Sequence, residues 1–353
     1  MNLYALLEKG FPKNREDCAL ETPEGLFYTW RDIDRATAMM ANLLKSLNLP
    51  SGSRVAVQVE KSPEALFLYL ATLRAGFVYL PLNTAYQESE IQYFIENAEP
   101  AVVICSPKNF SWISKIAFKA GTKNVFTLDE NRTGSLLERS VHCSDQFNTV
   151  TRTNDDLAAI LYTSGTTGRS KGAMLTHSNL GSNALVLNQF WGWKKGDVLL
   201  HALPIFHVHG LFVAAHGALI NGSKMIWLPR LDTTQLIKYL PRSTVMMGVP
   251  TFYVRLLMDP NFNKAVCKNM RLFVSGSAPL LTETFNNFQK LSGHTILERY
   301  GMSETVMLVS NPYQGERIGG SVGVVLPGVE VRVVGDSGKL CGPDEIGGIE
   351  VRG

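Results

Sequence analysis

The sequence predicts an α/β protein that ends in a small β unit. Three observations carry this expectation. Short apolar runs alternate with helical patterns through the first 150 residues. The same alternation resumes after a polar stretch, Cys143 to Asp156. From Gly319 the chain becomes rich in Val and Gly, with turn signals such as Gly335-Asp336. Strands that alternate with helices favour a parallel sheet. The expected units are 1–150, 151–318 and 319–353.

The elements follow in order. Val55 to Val59 reads as a strand. Pro63 to Ala75 has the spacing of an amphipathic helix, with Leu66, Leu68, Leu70 and Leu73. Ala101 to Cys105 and Val125 to Leu128 are further strands. Leu157 to Tyr162 (LAAILY) is a short apolar run of the kind that forms a buried strand, and Ala173 to Thr176 is a candidate partner. Val198 to Leu203, Lys224 to Leu228, Thr244 to Val249 and Arg271 to Val274 follow as strands. Leu236 to Leu240 and Phe252 to Leu257 lie between them with helical patterns. In the tail, Val329 to Val334 and Ile349 to Val351 read as antiparallel strands.

Composition narrows the function classes. The chain has 353 residues, 45% hydrophobic and 18% charged, which is ample for a buried core. The net charge of +3 is scattered and leaves no basic footprint for nucleic acid. Cys18, Cys105, Cys143, Cys267 and Cys341 lie far apart. That pattern argues against a disulfide framework or zinc site and for a reducing, cytoplasmic setting. No stretch reads as a signal peptide or a membrane span. Oligomeric state is not legible.

Residues 162 to 172, Tyr-Thr-Ser-Gly-Thr-Thr-Gly-Arg-Ser-Lys-Gly, say most about chemistry. Gly165, Gly168 and Gly172 allow tight turns and close ligand approach. Thr163, Ser164, Thr166 and Thr167 add hydroxyls, and Lys171 adds a mobile cation. Backbone N–H groups, hydroxyls and a lysine suit a polyphosphate. The common P-loop has Gly before its lysine and Ser or Thr after it; here Ser170 precedes Lys171 and Gly172 follows. A flexible polar loop is the bland alternative. The run of Ser, Thr and Gly directly after a buried strand favours the phosphate reading.

Here the chain resembles the acyl-adenylate-forming enzymes: acyl-CoA synthetases, adenylation domains of peptide synthetases, and luciferases. The resemblance implies the large N-terminal domain of that family, with two α/β subdomains and a small β-barrel-like unit. Gly348 to Gly353 (GIEVRG) resembles a late motif of that domain. The family's later parts are therefore expected to be missing from the chain as given. These are a ribose-binding aspartate, a hinge, and a C-terminal lid domain with a catalytic lysine.

The same resemblance assigns further roles. In Glu298 to Thr305 (ERYGMSET), Tyr300 is expected to pack on adenine, Ser303 to touch the α-phosphate, and Glu304 to bind Mg2+. Ser303 stands where the family usually has Thr. A helix start with Ser303 as N-cap is the local alternative. The ATP site is further expected to include Arg169, Ser170, Gly276, Ser277, Ala278 and Glu298. Pro204 to Gly210 (PIFHVHG) matches a family histidine at His207, beside the acyl pocket; His201 and His209 are left as structural. Two histidines at i and i+2 with no nearby Cys or carboxylate do not make a metal site. Lys171, His207 and Glu304 are the expected catalytic groups.

Arg299 narrows the acid. Many relatives have a small residue immediately before the motif tyrosine. An arginine there suits a second carboxylate on the substrate, whereas a hydrocarbon tail gains nothing from it. The alternative is an Arg turned toward a structural acid such as Glu298. Segments such as EALFLYLATLRAGFVYLPLN, HALPIFHVHGLF and LERYGMSET resemble malonyl-CoA synthetases in particular. That resemblance implies that Arg299, Ser277 and His207 bind malonate or a small 2-substituted malonate. ATP would activate the acid to an acyl-adenylate, and coenzyme A would then accept the acyl group. The rival readings are a short-chain, medium-chain or aryl acyl-CoA ligase, an amino-acid activator, and a catalytically weak nucleotide- or carboxylate-binding domain.

Overall fold

The computed structural model describes residues 1–163 and 169–353. Ser164, Gly165, Thr166, Thr167 and Gly168, expected in the phosphate loop, lie outside the described residues. The first eight strands are β1 (Cys18–Glu21), β2 (Phe27–Thr29), β3 (Arg54–Gln58), β4 (Val78–Pro81), β5 (Val102–Cys105), β6 (Asn124–Thr127), β7 (Leu157–Thr163) and β8 (Lys171–Thr176). Then come β9 (Val198–His201), β10 (Lys224–Trp227), β11 (Val245–Gly248), β12 (Leu272–Ser275), β13 (Leu297–Met302) and β14 (Val306–Ser310). The tail adds β15 (Val324–Val325), β16 (Glu330–Val334) and β17 (Gly348–Arg352).

Two large sheets result. One has six strands in the order β6-β5-β3-β4-β7-β8; the other has nine, in the order β15-β14-β13-β12-β11-β9-β10-β1-β2. In the first, β3 to β7 pair in parallel and β8 turns back antiparallel to β7. In the second, β1 and β9 to β13 are parallel, and antiparallel strands close both edges. Neither sheet is built from one side of residue 150. β1 and β2 cross into the nine-stranded sheet, while β7 and β8 complete the six-stranded one.

Side-chain alternation explains the layering. On β3 to β5, Val55, Val57, Tyr79, Val102 and Ile104 enter the main core between the sheets. Their neighbours Ala56, Val78, Leu80, Val103 and Cys105 face a second core. The Glu88–Ala98 and Phe110–Lys119 helices cover that second face through Ile91, Phe94, Ile95, Ile113 and Ala117. Each strand has two buried faces, as parallel layers require.

The helix over Pro63–Arg74 differs from its expected amphipathic form. All its residues are buried. Ser62 caps it by accepting from the Ala65 N–H at 3.1 Å, and Pro63 fits the first turn, where an N–H has no partner. A helix that is apolar all round belongs between layers. Its charged end is satisfied there: Arg74 Nη1 donates to Asp34 Oδ1 at 3.0 Å and to Thr37 Oγ1 at 2.8 Å.

The local alternative of a helix start at Ser303 does not hold, and the tail is more open than a barrel. Glu298 to Thr305 is not a helix start; it runs along β13 into a tight turn before β14, with the Thr305 N–H donating to the Met302 carbonyl at 3.2 Å. The tail forms no closed barrel among the described residues. β16 and β17 make a two-stranded antiparallel sheet, and β15 joins the edge of the nine-stranded one.

Candidate active site

The carboxyl ends of β7, β9, β12 and β13 meet at one cavity of about 870 Å3. Ligands in open α/β folds gather at this end of the strands. Its walls include Thr163, Lys171, Leu203, Pro204, His207, Val208, His209, Gly210, Val249, Ser277, Arg299, Gly301, Met302, Ser303, Glu304 and Met307.

One side of the cavity suits a polyphosphate. β7 and β8 pair antiparallel with Thr163 opposite Lys171, so the Gly-rich loop joins two adjacent strands as expected. Lys171 is exposed at the cavity edge. Thr163 Oγ1 donates to Glu304 Oε1 at 3.3 Å, which ties the loop's first strand to the turn after β13. Ser303 lines the same wall. Among the described residues no group of three His, Cys, Asp or Glu side chains is placed to hold a metal. Glu304 and Thr163 instead present hard oxygen donors, a set that suits Mg2+ when phosphate oxygens complete the shell.

The other side centres on Arg299, which is 4% exposed. Among the described residues, its Nε and Nη2 have no hydrogen-bond partner. Burial pushes the guanidinium down to about 10, so it remains a cation at neutral pH. Glu298 is not its counter-ion. Adjacent strand residues point to opposite faces, and Glu298 Oε1 accepts from the Leu280 N–H at 2.8 Å instead. Burial raises the Glu298 pKa, and Oε2 has no partner. Gly276 makes room for Arg299: a Cβ there would lie 2.3 Å from the guanidinium carbon. A buried charge without a partner costs several kcal/mol, and this one opens on a cavity.

Ser277 and His209 stand beside it. Ser277 has a φ of 69°, a left-handed conformation uncommon for a residue with a side chain. Its Oγ lies 3.3 Å from His209 Nδ1. His209 is 4% exposed and begins a π-helical turn, His209–Ala215, a feature frequent at functional sites. Burial, then the Arg299 charge, then His201 hold its pKa well below the ordinary value. His209 is therefore a neutral imidazole, with Nε2 unpartnered.

The cavity brings together seven expected residues: Thr163, Lys171, His207, Ser277, Arg299, Ser303 and Glu304. Six other expected ATP-site residues among those described do not line it. Arg169 lies over the Tyr93 ring at 5.5 Å, and the Ser170 carbonyl accepts from Tyr93 Oη at 2.8 Å. Tyr300 is half-buried and pairs with Val309 across β13 and β14. Gly276 backs Arg299, Ala278 is exposed, and Glu298 pins the turn before Leu280. The sequence reading set His209 aside in favour of His207. Both reach the cavity, but His207 is exposed and packs edge-on to Phe206, whereas His209 contacts Ser277. The i, i+2 spacing of the pair was the available signal.

The chain is similar to several known proteins. A malonate–CoA ligase of Arabidopsis thaliana is 32% identical over 316 residues, covering 84% of this chain and 52% of the relative. A mitochondrial malonate–CoA ligase of Mus musculus is 37% identical over 295 residues, covering 77% of this chain and 49% of the relative. The chain thus spans about half the length of the curated relatives it matches. The crystal structure of ATP-bound MatB from Rhodopseudomonas palustris superposes with a TM-score of 0.96 at 50% identity, over all of this chain and 70% of that one. The family pattern described as AMP-binding enzyme matches residues 8–353, and the chain belongs to that family.

Proposed function

We propose that this chain is the ATP- and acid-binding part of an acid–thiol ligase that activates malonate, or a small 2-substituted malonate, for transfer to coenzyme A. The observation that carries the reading is Arg299, a buried cation with unpartnered nitrogens at the wall of a cavity that also holds Lys171 and Glu304. The names of the similar proteins support the same acid.

The chemistry follows from charge. Malonate carries two carboxylates. One pairs with Arg299, assisted by the Ser277 hydroxyl and the neutral His209. The other is left to attack the α-phosphorus of ATP, forming an acyl-adenylate and releasing pyrophosphate. Lys171 offsets charge on the phosphates, and the Ser303 hydroxyl donates to an α-phosphate oxygen. Holding two anions in line supplies much of the acceleration. Glu304 and Thr163 would hold Mg2+, which supplies charge neutralisation on the phosphate chain when bound. His207 lines the entrance. The cysteine pattern supports placing the protein in the cytoplasm. The test is pyrophosphate release and calorimetric binding with malonate, methylmalonate and butyrate. Malonate and methylmalonate should both bind far better than butyrate; equal binding of butyrate would overturn the reading.

A further inference from the structure

A buried polar network reaches the cavity wall from the far side. Lys61 lies between β3 and the Pro63–Arg74 helix and is 8% exposed. It does not line the cavity. Its ammonium donates to His201 Nδ1 at 2.8 Å, to the His201 carbonyl at 2.9 Å and to the Leu228 carbonyl at 2.7 Å. It also sits 4.4 Å from the centre of the Trp227 ring, on which His201 stacks at 4.4 Å. Neutral acceptors and an aromatic face offset only part of the desolvation of a buried ammonium. So costly a placement calls for a role beyond packing.

Hydrogen-bond logic supplies one. An ammonium has three donors and no acceptor. The Gly210 carbonyl beside His201 Nε2 can only accept, so the ring proton sits on Nε2 and His201 Nδ1 accepts from Lys61, whose other protons go to the His201 and Leu228 carbonyls. Nε2 lies 2.8 Å from the Gly210 carbonyl. Gly210 lines the cavity and directly follows His209. The turn is tightly seated there, since a Cβ on Gly210 would meet the Pro204 carbonyl oxygen at 1.9 Å. Without Lys61, the Gly210 carbonyl alone holds the ring in the Nε2–H form, and the form with its proton on Nδ1 becomes accessible. The Nε2 lone pair would then face the Gly210 carbonyl, acceptor against acceptor, and the turn would shift.

We infer that Lys61 is a positioning residue for acid binding: it holds His201 in the Nε2–H form, and His201 in turn fixes the Gly210 carbonyl and the placement of His209 beside Ser277 and Arg299. This rests on the malonate reading of the cavity. Lys61 touches no substrate; its effect passes through two hydrogen bonds from the six-stranded sheet to the nine-stranded one.

The test titrates the native chain and the variants Lys61→Met, His201→Leu and His201→Gln with malonate and, separately, with ATP. Long-range proton–nitrogen correlation reads the histidine ring nitrogens. Native His201 should show its proton on Nε2, an observation that needs no variant. Lys61→Met should mix the tautomers and weaken malonate about 10-fold, with ATP held within about 2-fold, because small misplacements of a binding group are expensive. His201→Leu should match it. His201→Gln, whose amide can both accept and donate, should recover malonate affinity to within about 3-fold of native. A native His201 protonated on Nδ1 overturns the inference. So does a folded Lys61→Met that binds malonate as the native chain does, or that loses malonate and ATP equally. A native chain that binds ATP but no malonate overturns the underlying reading instead.

Discussion

Arg299→Met removes the buried cation while keeping a side chain long enough to occupy much of its space. Two effects of opposite sign follow. Removing one partner of a buried ion pair costs roughly 3–5 kcal/mol, which is about two to four decades of affinity. Malonate should therefore bind at least about 100-fold more weakly. Butyrate has no second carboxylate to lose and should change by less than about 3-fold. ATP affinity should hold, since Arg299 stands at the acid end. Without ligand the variant should be more stable. The native Nε and Nη2 are buried without partners, and each such group costs about 1–3 kcal/mol. Each 1 kcal/mol moves the Tm of a chain of this size by about 1 °C. Calorimetric titration with both acids, with thermal unfolding of the ligand-free chain, reads both effects. If malonate and butyrate weaken by the same factor, Arg299 is structural. If the ligand-free variant melts several degrees lower, its burial without a partner is not a stored cost.

Gly276→Ala should push the guanidinium aside, since its Cβ would lie 2.3 Å from Arg299 Cζ, and should weaken malonate about 10-fold or more with ATP unchanged; unchanged malonate binding would show that Arg299 has room to move. Lys171→Ala should weaken ATP and spare malonate in the same titrations, and equal ATP affinity in both forms would remove its phosphate role. Glu304→Gln should weaken ATP more in Mg2+ than in a chelator; the same loss in both would exclude a metal-binding part. His177 and His216 are buried neutral, their pKa values pushed down to about 4 and about 3 by desolvation. Below about 6.5 the unfolded chain binds protons that these folded imidazoles refuse, so stability falls with falling pH by up to about 1.4 kcal/mol per pH unit for each. The urea midpoint should therefore drop between pH 7 and pH 5.5, and a midpoint unchanged over that range would refute it.

The alternating layers were readable because buried strands are short apolar runs with turn residues between them, as Val102–Cys105 and Val245–Gly248 show. What escaped was whatever depends on partners distant in sequence. Cys18–Glu21 is short and ends in a charged residue, yet Glu21 is buried because Lys224 and Arg242 pair with it from across the chain. Pro63–Arg74 reads as amphipathic until both flanking layers are known. The motifs that carry Thr163, Lys171 and Glu304 lie far apart in sequence, and the structure brings these three residues to one cavity. The acid end was legible only in part. A pair between Arg299 and Glu298 stayed open as an alternative, because the strand alternation that sends the two to opposite faces shows only once β13 is placed. His209 was left as structural because the motif match fell on His207 and a His-x-His spacing did not make a metal site, whereas the π-helical turn begins at His209 and its ring reaches Ser277.

The crossing of β1 and β2 into the far sheet has a consequence for biosynthesis. β1 leaves the ribosome long before its parallel neighbour β10, which begins only at Lys224. At about 5–20 residues per second, some 200 residues of synthesis leave β1 waiting roughly 10–40 s. Its apolar residues Ala19 and Leu20, fully buried in the finished fold, stay without their sheet during that interval. The six-stranded sheet cannot relieve this, because its own β7 and β8 also arrive late. The nascent chain therefore has no early half that closes on itself, and it is most exposed to chaperones and proteases while residues 22 to 223 are being made.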